Sequence, residues 1–209
     1  AHRFVVATAR LFLQIIDEEC DVLQNLIHDL LESSMIDAGL LKLEPQPVQL
    51  PRLAREVIAE RGHQARKHRF VLDFASDFPI IDADPQRIAQ VLRNLIDNAI
   101  KYSPDGGLIV VRGETYPREV IVSVSDQGVG IAPEHLNRLF EKYFRIESGL
   151  VRHMVGSGLG LPIAHTIVES HHGRIWAESQ LGAGTTFFFA LPITDDSQPG
   201  APGPEADAT

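Results

Sequence analysis

The stretch DPQRIAQVLRNLIDNAIKY runs from Asp84 to Tyr102. Asp followed at once by Pro is a strong helix start: the carboxylate accepts from unpaired first-turn amides, and Pro at the first helical position has no amide to leave unpaired. From there Ile88, Leu92, Leu95 and Ala99 recur at helical spacing and define a core face. A second face is polar. Asn94, Asn98 and Lys101 stand at i, i+4 and i+7, so they align on one side, with Tyr102 beside them. The bland reading of that face is contact with water. The other reading is a ligand, since an amide oxygen suits a hard cation such as Mg2+ and an ammonium suits a phosphate.

Outward from this helix, apolar patterns alternate in type. Leu50 to Arg66 reads as a helix with Leu53, Val57 and Ile58 on one side, and Phe70 to Phe74 as a strand. Leu108–Thr115 and Glu119–Ser125 read as two strands joined through Tyr116-Pro117-Arg118, a hairpin. Leu159 to His171 reads as a helix, and Arg174–Ser179 and Thr185–Leu191 as closing strands. Helices gathered on one face of a mixed, mainly antiparallel sheet make an α+β fold, a two-layer α/β sandwich.

The first residues have a different period. Val6, Ala9, Leu13, Ile16, Cys20, Leu23, Ile27 and Leu30 alternate three and four apart, a heptad seam along one long helix. The helix is predicted to reach about Ala38, with Gly39 as its C-terminal cap. A lone seam wants a partner helix, from a second copy or from an upstream hairpin. The expected organisation is a dimerisation helix over 1–42, a linker over 43–50 containing Pro45 and Pro47, a compact domain over 51–193 and a disordered tail over 194–209.

The chain has 209 residues, 44% hydrophobic and 22% charged, ordinary for a globular protein. Nineteen basic and 28 acidic residues give a formal net charge of −9. That balance argues against nucleic-acid binding by phosphate neutralisation. No run of 18 apolar residues occurs, so no membrane contact is expected from these residues. Cys20 is the single cysteine, which excludes an internal disulfide and fits a cytoplasmic setting; its place on the seam reads as a small core residue. The opening at Ala1 without Met leads us to expect a piece of a longer chain, with room for a membrane-bound sensor upstream.

Two glycine loops carry further chemistry. Asp126-Gln127-Gly128-Val129-Gly130-Ile131 follows a strand; the glycines permit a tight turn and close approach of a flat ligand, and the carboxylate can accept from an exocyclic amine. Gly156-Ser157-Gly158-Leu159-Gly160-Leu161 precedes a helix, where exposed amides form an anion site. It lacks the third glycine of a dinucleotide fingerprint and the Gly-Lys-Ser/Thr of a P-loop. Each motif alone is a weak signal.

Order and spacing together are specific. The chain strongly resembles the catalytic domain of sensor histidine kinases, within the wider ATP-binding family that includes type II topoisomerases, mismatch-repair ATPases and a heat-shock chaperone. Asn94 to Ser103 matches the N box, Asp126 to Ile131 the G1 box, Leu139-Phe140-Glu141-Lys142-Tyr143-Phe144-Arg145 the F box, and Gly156 to Leu161 the G2 box. Gly184-Thr185-Thr186-Phe187 with Leu191-Pro192 matches the terminal strand. The resemblance covers about Val48 to Pro192. Leu26 to Gly39, followed by Leu43-Glu44-Pro45, is similar to the second helix of the family's dimerisation hairpin and its exit.

The resemblance implies roles. Asn98 would ligate Mg2+ bridging the phosphates of ATP, and Asp126 would accept from the adenine amine. Gly128, Gly130 and Ile131 would seat the base. Lys101 would contact phosphate, and Tyr102 would pack near the base or ribose. Gly156, Ser157, Gly158, Leu159, Gly160 and Leu161 would present the phosphate loop, and Thr186 or Thr185 would complete the adenine end through water. Phe140, Tyr143 and Phe144 would pack the base of a lid running from Arg145 to Val155, with Arg145 and Arg152 reaching the terminal phosphate. The implied reaction is phosphoryl transfer to a histidine in two-component signalling, with Asn94, Lys101 and Arg145 as its catalytic residues. The implied partners are a second copy and a response regulator receiver domain. Hydrolytic branches of the wider family usually carry Glu where Asn94 stands, so Asn94 favours a histidine acceptor, which needs no such base.

The acceptor itself is not identified. The family's acceptor is followed by an acidic residue and then Pro; His2 is followed by Arg3-Phe4-Val5, and His28-Asp29 sits in second-helix context. His171 and His172 read as helix-end histidines, where a cation is favoured. The alternative function is a degenerate ATP-binding regulatory or dimerisation module without kinase activity.

Overall fold

The computed structural model describes residues 13, 16, 20, 23–24, 26–62, 65–146 and 157–193. The first helix, α1, is continuous over 26–37. It closes at Gly39, where Gly39 N donates to Ile36 O and Leu40 N to Met35 O, both at 2.9 Å. Leu13, Ile16, Leu23, Ile27 and Leu30 of the seam are all exposed, Leu13 at 65%. Cys20 is exposed with them, which corrects its reading as a core residue: among the described residues nothing covers this face.

After α1 come β1 (Gln46–Val48), α2 (Leu50–Gly62), β2 (His68–Phe74), β3 (Ile81–Ala83) and α3 (Pro85–Lys101). Next are β4 (Gly107–Tyr116), β5 (Glu119–Ser125), α4 (Pro133–Leu136), α5 (Gly160–Ser170), β6 (Arg174–Gln180) and β7 (Gly184–Pro192). Five strands form one sheet in the order β2-β4-β5-β7-β6. β2 lies parallel to β4, and every other neighbouring pair is antiparallel. The β4–β5 hairpin turns at Tyr116↔Glu119. The fold is thus the expected α/β sandwich with a mixed, mainly antiparallel sheet.

The sheet buries alternate residues. In β5, Val120, Val122 and Val124 are buried, and in β4, Ile109 and Val111. They meet α3 through Ile88, Leu92, Leu95, Ile96 and Ala99, and α5 through Ile163 and Ile167, in one continuous core. Removing any fully buried Ile or Leu here would cost about 2–5 kcal/mol. Asp84 caps α3 as its sequence suggests: Oδ1 accepts from Gln86 N at 3.0 Å and Arg87 N at 3.1 Å.

Three local readings change. α2 ends at Gly62 rather than Arg66, as a poorly helical residue allows. Within the expected linker, Gln46–Val48 pairs antiparallel with Ile81–Ala83; strands of three residues are too short to carry a readable period. A short helix, α4, follows Pro133 at its start. Residues 194–209 and 147–156, which include most of the expected lid, lie outside the described residues.

Candidate functional site

A cleft of about 1460 Å³ opens between α3, α5, the 126–132 loop and the start of β7. Its lining includes Asn94, Asn98, Lys101, Tyr102, Asp126, Gly128, Gly130, Ile131, Arg145, Ser157, Gly158, Gly160, Leu161 and Thr185. Asn94 and Thr185, 91 positions apart in sequence, therefore face one space.

At the closed end stands Asp126, 6% exposed. Its Oδ1 accepts from Gly128 N at 2.8 Å, from Thr185 N at 3.3 Å and from Ser103 Oγ at 3.5 Å. No bond to Oδ2 occurs among the described residues, so that oxygen is available to a donor from the cleft. Burial pushes the Asp126 carboxyl above its ordinary range, against the pull of the two backbone N–H groups. Beside it, Ser179 Oγ accepts from Ile131 N and donates to Gly184 O, each at 2.8 Å, and lies 2.9 Å from Thr185 Oγ1. With the Ser179 proton used, Thr185 donates to Ser179 and keeps lone pairs for a further donor. Thr186 points elsewhere: its Oγ1 pairs with Ser125 Oγ at 2.8 Å on the other face of the strand. Of the two threonines offered for this end, Thr185 is the one in the cleft.

Two glycines shape the loop. A Cβ on Gly128 would lie 2.1 Å from Tyr102 O, the same oxygen that Val129 N bonds at 3.0 Å. The loop is thereby clamped to the end of α3. Gly130 has φ +66, and a Cβ there would meet Gln180 O at 2.1 Å.

Asn94 and Asn98 project from α3 into the cleft, and Lys101 Nζ sits 4.9 Å from the Tyr102 ring centroid. Asn94 Nδ2 donates to Gly160 O at 2.9 Å. That bond sets the orientation of the amide and leaves Asn94 Oδ1 as its acceptor end. Opposite is the N-terminus of α5, with no side-chain cap and no acidic residue in its first turn. Free amides and the helix dipole make this end favourable for an anion. Leu159 is buried in the core and does not line the cleft, and Gly156 lies outside the described residues. Arg145 lines the mouth; Arg152 lies outside the described residues.

The F-box aromatics divide. Phe140 stands 5.4 Å from the His165 ring, and Phe144 carries the Arg138 guanidinium at 4.3 Å. Tyr143 is exposed instead, with φ 63, and contributes its backbone: Tyr143 N donates to Gly158 O at 3.1 Å.

The helix α1 also reaches the cleft, which sequence reasoning did not anticipate. Asp29 Oδ2 accepts from Ser157 Oγ at 2.7 Å. Glu32, buried, pairs with Arg87 and accepts from Gln90, and Asp37 pairs with Lys142. Ser179 and His171 are two further organising residues missed from sequence, since a serine in a strand and a histidine ending a helix carry no local signal. Among the described residues no group of three His, Cys, Asp or Glu could hold a metal.

The model of the histidine kinase-, DNA gyrase B- and HSP90-like ATPase family matches residues 83–195, more than half of the chain. The chain belongs to this family. Its curated relatives include sensor histidine kinases. The adaptive-response sensory kinase SasA of Synechococcus elongatus is 35% identical over 175 residues, 82% of this chain and 44% of SasA. The chain therefore spans less than half the length of that curated relative. Full-length ShkA, solved in complex with AMPPNP, superposes with a TM-score of 0.76 at 28% identity over 88% of this chain and 38% of ShkA. Histidine kinase ThkA, solved in complex with the response regulator TrrA, gives 0.69 at 29% identity over 90% of this chain and 52% of ThkA.

Proposed function

We propose that this chain binds Mg-ATP in the cleft and transfers the γ-phosphoryl group to a histidine of a dimerisation domain, in two-component signalling. The observation that carries the reading is the polarity of the cleft from end to end. One end offers a buried carboxylate oxygen and a threonine hydroxyl oxygen, two acceptors that suit the exocyclic amine of adenine directly and through water. The other offers the amides of Gly158, Gly160 and Leu161, with Lys101 and Arg145, the complement of a polyphosphate.

The donor set fits Mg2+. Asn94 and Asn98 give neutral hard oxygens, and Mg2+ typically completes its shell with water and substrate phosphates rather than a cage of protein ligands. When bound, the ion would neutralise phosphate charge. The protein's own part is positioning: α3 and α5 hold amide oxygens and backbone N–H groups on opposite sides of the polyphosphate, and burial at Asp126 anchors the base. Asn94 is an amide and cannot take up a proton as a general base, which agrees with an imidazole acceptor over water. Lys101 and Arg145 are the cations for the transferred group.

The exposed seam from Leu13 to Leu30 supports pairing with a second copy through α1. The domain division into helix 1–42, linker 43–50, catalytic domain 51–193 and tail 194–209 follows from the same reading. A response regulator receiver domain is the proposed downstream partner, as for ThkA. No described helix is long and apolar enough to cross a membrane, and a cytoplasmic placement goes with the proposed role.

The test is calorimetric titration of ATP with and without Mg2+, on wild type and on the Asn98→Ala and Asp126→Ala variants. Mg2+-dependent binding in wild type, lost in both folded variants, is the expected result. A folded wild type that binds no nucleotide would overturn the proposal.

A further inference from the structure

The two helices facing the cleft, α3 and α5, run antiparallel, and a polar bond joins each end of α5 to α3. At one end Asn94 Nδ2 donates to Gly160 O at 2.9 Å. At the other, Asp84 N donates to His171 Nε2 at 3.0 Å. Between them lie buried apolar residues of the common core such as Ile88, Val91, Ile163 and Ile167. Apolar burial is non-directional and resists sliding only through shape, so directional bonds are what distinguish one register from the next. At 1.5 Å per residue the two bonds stand about 15 Å apart along the helices.

The His171 end is built for one arrangement. His171 and Asp84 are both buried, at 7% and 6% exposed. His171 Nδ1 lies 2.8 Å from Ile167 O, a carbonyl that can only accept, while a backbone N–H points at Nε2 and can only donate. The imidazole is therefore neutral with its proton on Nδ1. Asp84 is committed throughout: Oδ1 caps α3, Oδ2 accepts from Glu44 N at 3.0 Å, and its carbonyl accepts from Ile88 N at 2.9 Å. His171 thus grips the residue that starts the nucleotide-facing helix and holds the incoming chain from α1.

We propose that His171 is a positioning residue for nucleotide binding: through Asp84 it fixes the register of α5 along α3, and so the distance between the amide side chains of α3 and the phosphate-facing amides at the start of α5. This rests on the nucleotide reading above. It predicts a split by ligand. The adenine end is built on the 126–132 loop and β7, not on α5, so a register error should weaken the polyphosphate's share of binding and spare the base.

The experiment measures ATP (with Mg2+) and adenosine affinity by calorimetry on the full chain, for wild type, His171→Gln, His171→Asn and His171→Leu, with thermal unfolding as a check on folding. Gln can place Oε1 near the Nε2 position and accept from Asp84 N; Asn is too short to do so, and Leu has no acceptor. The expected result is that Asn and Leu lose about tenfold in ATP affinity, with adenosine changed by less than about twofold, while Gln keeps the wild-type ratio. Equal losses for both ligands, no loss in Asn, or a Gln variant behaving like Asn would overturn the proposal. Variants that all unfold would overturn it too, since His171 would then serve stability alone. Wild type binding neither ligand would instead sink the nucleotide reading itself.

Discussion

The backbone N–H of Asp84 donates to Nε2 of His171 at 3.0 Å, across 87 positions of sequence and in the protein interior. Replacing His171 with Leu leaves that N–H buried without a partner. The expected cost is about 1–3 kcal/mol of unfolding free energy, read as a lower urea midpoint with an unchanged slope. His171→Gln should recover most of it. An unchanged midpoint in the Leu variant would mean that Asp84 N finds water instead.

The next residue, His172, has φ 60, a left-handed backbone conformation. It follows the end of α5, where Gly173 N closes back on Val168 O at 2.9 Å. A side chain in that conformation costs about 1–2 kcal/mol, which glycine avoids at some cost in unfolded-state entropy. His172→Gly should therefore raise the melting temperature, and His172→Val should lower it. The reverse order would show that the imidazole makes a compensating contact.

Asp126 and Asp84 respond to acid in opposite ways. Burial raises the Asp126 carboxyl, so the folded state holds that proton more tightly than the unfolded chain. Its contribution to stability is full below the ordinary carboxylate value and is lost as pH rises through the raised folded value. Nucleotide affinity should go the other way, falling on acidification from a higher pH than an ordinary carboxylate would give, because the protonated acid no longer accepts on both oxygens. At Asp84 burial acts upward, but the Glu44, Arg87 and Gln86 amides outweigh it and lower the carboxyl; its stabilisation is full above the ordinary value and is lost as pH falls through the depressed one. Calorimetric titration of ATP from pH 7 downward checks the affinity arm: the acid-side loss should vanish in any residual binding by Asp126→Asn.

Asp29 of α1 holds Ser157 beside the amides at the start of α5, the proposed polyphosphate end of the cleft. A carboxylate there repels a polyphosphate. Asp29→Asn should tighten ATP by about twofold to fivefold, the scale of about 1 kcal/mol between charges in a wet environment. The gain should shrink at high salt. Weaker binding in the variant would mean that Asp29 organises the loop more than it repels the ligand.

Much of the fold could be read from the chain because local chemistry and tertiary packing agree there. The Asp84-Pro85 start, the Ile88–Ala99 stripe, the alternation in Glu119–Ser125 and the cap at Gly39 each follow from one segment's own residues. The motifs around Asn98, Asp126 and Gly158 were legible because their residue types and spacing are specific in combination.

Other features had no local signal. The strands Gln46–Val48 and Ile81–Ala83 exist through each other, and α2 stops at a glycine inside a run that continues to look helical. Thr185 and Thr186 cannot be ranked until strand alternation and sheet orientation put one of them in the cleft. Cys20 looked like a core residue because a seam implies a cover, and within this chain the cover is absent among the described residues.

The sequence by itself determined the elements, the buried faces and the chemical kit for a nucleotide, since propensity, period and residue type are properties of short segments. Tertiary structure alone decided that Asp29 reaches Ser157, that Ser179 ties Ile131 to Gly184 and Thr185 beside Asp126, and that His171 is a neutral, buried acceptor rather than a solvated cation at a helix end. Those outcomes depend on which donor arrives opposite each group, and the donor for His171 lies 87 positions away.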